Sequence, residues 1–419
     1  MKRLYAIMLV GAAFAGMYSC EDYLGKKTDL DFIDIPPNNV VRDIAYVPIL
    51  PILDDFEEPV DIIAGFDELI YVVDAGREEV VALDESGRIL GRRSVPGAKA
   101  IAQDRKFDLL VIGTKDTLLP LGTRDTLLTM SAIYRLRMLG SSGYNLSNAE
   151  VVNTIMHPFY FTQSEPTLRT VDYVEFTDIS IIGNNNNPDL NNQYYVSRRH
   201  VRRPFGDASL EQISSGPLGP NDAMLYFNNE DQFISPISVQ TSSGFFNDYF
   251  QNPRSVSTLT QPPQLGARSG RDFFYASLDP NNALKVQYIE FIEGQFGAEY
   301  RPRILASGDT SEADGFINSP NKFAAPQGVT IAGDGSQFIF VVDAEKDSLF
   351  QFSFNGFEGV LPPPASGIRR YQKASFGGNG RGATQFNQPQ GVAYFNEIVY
   401  VADAGNSRIL RFRLTLDFE

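Results

Sequence analysis

The chain has 419 residues, of which 43% are hydrophobic and 12% aromatic, enough to bury a large core and to exclude a disordered protein. Acidic residues outnumber basic ones by 51 to 36, a net charge of −15, which argues against nucleic acid or an anionic membrane surface as the main partner. A single cysteine excludes an intrachain disulfide, so stability must come from packing.

Met1-Lys-Arg3 is a short basic start, followed by an apolar stretch, residues 4–16, rich in small side chains. It is too short to span a bilayer and reads as a secretory signal. Met17-Tyr-Ser-Cys20 resembles a bacterial lipoprotein lipobox, with Met and Tyr where Leu and a small residue are usual. The resemblance implies a signal peptide over residues 1–19 and lipid attachment at Cys20; a plain secreted protein is the alternative. Residues 20–39 form a polar tether, and Glu21-Asp22 resemble the surface-export signal of Bacteroidota-type lipoproteins. The expected location is the cell envelope, lipid-anchored, in the outer membrane and at the cell surface, with the inner membrane and the periplasm as alternatives.

Residues 40–53 are apolar but carry Pro48 and Pro51, which confine them to a sheet edge. Strands follow at 60–64, 69–74, 80–83 and 89–95, the last two joined by the turn Asp84-Glu-Ser-Gly87. Residues 98–114 and 131–139 suggest a second group, with 118–129 inserted, and 145–161 lead into a third group at 170–182 and 191–201. Residues 232–239 and 273–291 suggest a fourth, interrupted by a long insert, 242–271, that carries Phe245, Phe246, Tyr249 and Phe250. An outer strand at 303–308 precedes a fifth group, 323–360, and the proline-rich break Leu361-Pro-Pro-Pro-Ala365 comes before the last, 386–412.

Three of these segments are copies. Phe323-Ala-Ala-Pro326-Gln-Gly-Val329 repeats Phe386-Asn-Gln-Pro389-Gln-Gly-Val392, and Phe56-Glu-Glu-Pro59 shares the Phe-to-Pro step. Each runs on into an apolar strand that ends in aspartate. One such meander cannot bury both of its faces, so it requires copies of itself. These segments resemble NHL repeats, which build β-propellers, most strongly over residues 386–412. The resemblance implies an all-β fold: a single β-propeller over residues 40–419, with six blades (five or seven as alternatives), closed by pairing of N- and C-terminal strands.

Asp74, Asp343 and Asp403 each end a strand before a turn. They could form a carboxylate ring for calcium or acid–base chemistry, but a residue repeated in every unit fits a structural acceptor for turn amides better. In the last unit Arg408 can reach Asp403. Enzymes resembling NHL propellers, such as peptidylglycine-amide lyases, hold metal with several histidines, and streptogramin-lyase-like propellers also rely on histidine. This chain has only His157 and His200, too few for a tri-histidine zinc site. No catalytic residue, metal site or cofactor is assigned, a structural calcium remaining open. Arg198, Arg199, Arg202 and Arg203 are the candidate ligand-binding residues, able to grip a phosphate, sulfate, uronic acid or acidic partner; pairing with Asp172, Glu175 or Asp178 is the alternative. The expected function is a lipid-anchored, non-enzymatic binding or scaffold module for a protein or polysaccharide. The alternative is an extracytoplasmic hydrolase or lyase using carboxylates at the mouth of the propeller channel, which two convergent acids there would favour.

Overall fold

The computed structural model describes residues 45–121, 124–141, 143–156, 174–183, 188–200, 222–263, 270–294, 297–305 and 309–415. The signal peptide, Cys20, the tether up to residue 39, His157, Arg202 and Arg203 lie outside them. Six sheets form the blades of a propeller. Blade one is Pro59–Ala64, Ile70–Asp74, Glu79–Leu83 and Ile89–Ser94, an antiparallel meander from axis to rim. Blade five repeats it with Pro326–Ile331, Ile339–Asp343, Ser348–Phe352 and Phe376–Gly377. Blade six takes three strands from the chain's end, Pro389–Phe395, Ile398–Asp403 and Arg408–Thr415, and its fourth from Ala45–Pro48. Ala45 pairs with Thr415 and Pro48 with Phe412, so the expected closure of the ring by its two ends is what the structure has.

The middle blades depart from the sequence reading in five places. Glu150–Met156 is the outer strand of blade two rather than the approach to blade three. The residues inserted at 118–129 extend two strands of blade two, Leu109–Leu121 and Arg124–Arg137, into one long hairpin. Phe233–Pro236 is the outer strand of blade three, behind Val174–Ile182, Gln193–His200 and Ala223–Phe227, so it does not open blade four. The insert 242–271 contains the innermost strand of blade four, Pro253–Thr258. That blade continues through Phe273–Ser277, Val286–Gly294 and Gly297–Arg303, the last being its true fourth strand rather than 303–308. A short hairpin, Val239–Thr241 and Gly244–Phe246, adds to its rim.

Burial follows position. Strands second from the axis are covered on both faces by neighbouring blades, so Ile70–Asp74 and Ile339–Asp343 are buried at every residue. Such strands read as continuous apolar runs, as fully covered strands do. Alternation then sends Ile70 and Val72 toward blade six, with Ala393 and Tyr400, and Tyr71 and Val73 toward blade two, with Ile101 and Val111. Two glycines let the innermost strands approach: a Cβ on Gly391 would lie 2.9 Å from Cα of Asp61, and one on Gly328 2.9 Å from the Gln390 carbonyl oxygen.

Candidate functional site

The repeat aspartates explain the fixed Phe-to-Pro step. Asp74 is fully buried and accepts the N–H groups of Glu57 (2.9 Å) and Glu58 (2.8 Å), the two residues between Phe56 and Pro59. Asp343 does the same for Ala324 (2.6 Å) and Ala325 (3.0 Å). Asp403 accepts from Asn387 (2.7 Å) and from Arg408 Nε (2.7 Å), so the pair expected in the last unit forms. Each carboxylate fixes the loop by which the chain enters the inner strand of its own blade. Lone pairs spent on backbone donors leave little for a metal, and among the described residues no group of three or more potential ligands gathers.

Two other acids do converge, on the axis. Inner strands of five blades carry a bulge after their first residues, at Pro59, Phe176, Pro253, Pro326 and Pro389. It turns the following residue toward the next blade. Asp61 accepts N–H groups from Ile62 (2.8 Å) and from Ile101 of blade two (2.9 Å). Asp178 accepts from Ile179 (2.7 Å) and from Val256 of blade four (2.8 Å), and Ser255 from Val329 of blade five (3.2 Å). Burial, with Asp178 nearby, pushes the Asp61 carboxyl up to about 7. Burial raises Asp178 to about 6 against the pull of its hydrogen bonds and of Arg254. Arg254 donates to Gln327 (2.6 Å) and Gln390 (3.2 Å) and is the axial counter-charge. The axial cavity is about 60 Å³, room for a water or two, far below the several hundred cubic ångströms of an organic ligand's site.

A larger cavity, about 290 Å³, opens between blades three and four, lined by Arg199, His200, Asp222, Gln251, Asn252, Asp279 and Pro280. Its origin is local. Phe250-Gln-Asn-Pro253 is a fourth copy of the Phe-to-Pro step, with Phe250 fully buried like its counterparts. The strand opposite Pro253, however, ends in Ser277, where the other copies have aspartate. Serine is too short to hold the loop: its hydroxyl donates to the Gln251 carbonyl (2.6 Å), and Asp222 takes the Asn252 N–H (2.7 Å) instead. Space is left behind. Two buried polar atoms that bound it have no partner, Nε of Arg199 and Oδ1 of Asn252.

The basic run divides. Arg198 is 1% exposed, inside its strand. Arg199 bonds Glu175 (2.8 Å), which also holds Lys99, and reaches the cavity wall; His200 lines the cavity. The insert aromatics divide too: Phe250 is buried and Tyr249 packs on the same cluster, while Phe245 and Phe246 are 66% and 38% exposed on the rim hairpin. Sequence reasoning missed Asn252, Asp222, Arg254, Asp61 and the role of Asp178. The signal for Asn252 and Arg254 was the Phe-x-x-Pro spacing at Phe250.

Residues 386–412 match the family model described as NHL repeat. The match falls on the strands that the end of the chain gives to blade six. No curated protein sequence matches the chain. Among solved structures, the chain is similar to an auxiliary nutrient binding protein from Bacteroides ovatus, at 9% identity and TM-score 0.48, over 89% of this chain and 77% of that one. It is also similar to PQQ-bound aldose sugar dehydrogenase from Streptomyces coelicolor (11%, TM-score 0.46, 89% and 99%). Virginiamycin B lyase from Staphylococcus aureus is a third such structure (8%, TM-score 0.43, 88% and 100%).

Proposed function

We propose that this propeller is a binding module of the cell envelope, lipid-anchored through Cys20 to the outer membrane and exposed at the cell surface, that holds a polymer or protein partner without transforming it. The observation that carries this reading is the cavity between blades three and four, about 290 Å³ and walled by polar groups, with an unused donor on Arg199 and an unused acceptor on Asn252. A donor beside an acceptor suits hydroxyl-rich or amide-rich ligands, which supply both. The test is calorimetric titration of the full chain with galacturonic-acid oligomers and neutral glucan oligomers, repeated on Arg199→Gln and Asn252→Gly. Glycine keeps the positive φ of Asn252, 43°. Binding about tenfold weaker in each variant supports the site; unchanged affinity ends it. Anchoring is tested separately, by release of a Cys20→Ser protein from the membrane fraction.

A second reading, a hydrolase or lyase, is favoured by the raised carboxyls of Asp61 and Asp178 on the axis. Against it stand their bonds to backbone donors and the size of the axial cavity. Product release from either oligomer that disappears in Asp61→Asn and Asp178→Asn would reverse the assignment.

A further inference from the structure

At the opposite mouth of the channel, Arg105 keeps two buried guanidinium nitrogens without a hydrogen-bond partner among the described residues. Arg105 lies in the turn between the two inner strands of blade two, with its backbone N–H fixed by Asn192 Oδ1 (2.8 Å). Its guanidinium packs over the Phe66 ring at 5.1 Å and beside the backbone of Gly183, where a Cβ would come within 2.9 Å of Nε. Nε and Nη2 are both buried without a hydrogen-bond partner. Among the described residues, the other arginines with a buried unpartnered nitrogen lack a partner at Nε alone. Burial pulls Arg105 below the ordinary arginine range.

The unfilled pair is chemically specific. Nε and Nη2 present two parallel N–H bonds on one edge of the guanidinium, the fork that receives two oxygens of one anion. Arg135, in the same blade, shows the fork filled: Nε donates to Asp231 Oδ2 (2.9 Å) and Nη2 to Oδ1 (2.6 Å). A buried N–H left unmet is costly, so Arg105 is held in a state that a suitable anion would relieve. Beside it, Phe107 is 41% exposed and sits at φ 64°, a left-handed conformation that bulky residues avoid. Phe66, Gln103, Thr260 and Gln261 line the axial cavity from this end.

We propose that Arg105 is the anchor of a second ligand site, on the face opposite the blade three–four cavity, for a two-oxygen anionic group, carboxylate or phosphate. Engagement swings the guanidinium off Phe66 and brings its fork to the ligand, with Phe107 as the adjoining apolar wall. The site is independent of the cavity proposed above.

The test follows the melting temperature of the full chain against sodium acetate and, separately, inorganic phosphate, at constant ionic strength with chloride as balance. A saturable rise with either anion is expected. Arg105→Gln should abolish it, and Arg105→Lys, which keeps the charge and loses the fork, should raise the half-saturating concentration about tenfold. Arg88→Gln, at an exposed arginine before the outer strand of blade one, should leave it unchanged. A response to acetate alone assigns a carboxylate ligand, and to phosphate alone a phosphate. No saturable rise with either anion, or an equal rise in Arg105→Gln, overturns the proposal. Should the glutamine variant not fold, an equal response in Arg105→Lys overturns it as well.

Discussion

Single side chains hold the divergent part of this ring together. Arg135 of blade two meets Asp104 (2.6 Å) from its own blade and Asp231 (2.6 Å) from a turn of blade three, and Tyr194 and Asn153 bond the same Asp231. All three charges are nearly inaccessible, so removing one partner strands the others. Arg135→Ala is expected to lower unfolding free energy by about 3–5 kcal/mol, read from the denaturant midpoint. Because most of that cost is the unpaired acid, the same substitution in an Asp231→Asn background should cost less. At this scale the sequence was partly legible. Asp403 and Arg408 could be paired on paper because a hairpin separates them by few residues. Arg135 could not, since its partner lies 96 positions away. Arg198, expected to grip a ligand, is instead buried inside its strand, because a strand interior with hydrogen-bonding capacity accepts a guanidinium that composition alone assigns to water.

Elements were legible where they were apolar. The second strands of blades one, five and six are covered on both faces and announce themselves as unbroken runs. The inner strand of blade four, Pro253-Arg-Ser-Val-Ser-Thr258, does not, although it is buried. Its hydroxyls bond across blades: Ser255 to Val329, Thr258 to the Ser180 hydroxyl and the Ile181 carbonyl. Buried polar side chains with partners look like a loop in a hydrophobicity pattern, and the cavity residues next to this strand were hidden with it. The first strand carries a prediction of its own. Ala45–Pro48 pairs along Arg408–Thr415, Leu53 bridges Ile409, Tyr46 donates to Gln351 of blade five (2.9 Å), and Ile49 and Leu53 pack on the core between blades six and one. A chain beginning after Leu53 should lose roughly 4 kcal/mol or more of stability, from three covered side chains; an unchanged melting curve would show the closure to be dispensable.

For the molecule as a whole, the axial acids predict how stability responds to pH. Asp61 and Asp178 titrate at about 7 and about 6 when folded, above the ordinary carboxylate range near 4 that applies to the unfolded chain. Between about pH 4 and pH 7 the unfolded chain therefore releases protons that the folded ring retains. Their contribution is complete below about pH 4 and is lost as pH rises through about 6 and 7. Relative to wild type, Asp61→Asn or Asp178→Asn should flatten the fall in unfolding free energy across that window by roughly 3 kcal/mol, measured by denaturant titration at several pH values. An equal slope in wild type and variants would mean that the axis is wetter than its packing implies.

Pairing the first strand with the final one also fixes when this polypeptide can fold. During synthesis, Ala45 emerges early and stays without a neighbour until Thr415 has been made. A product halted before Arg408 carries an unpaired sheet border at each end, the kind of border that recruits other chains. Synthesis thus has to pass Thr415 before the ring can close, and a copy halted short of it is marked by its own tendency to aggregate.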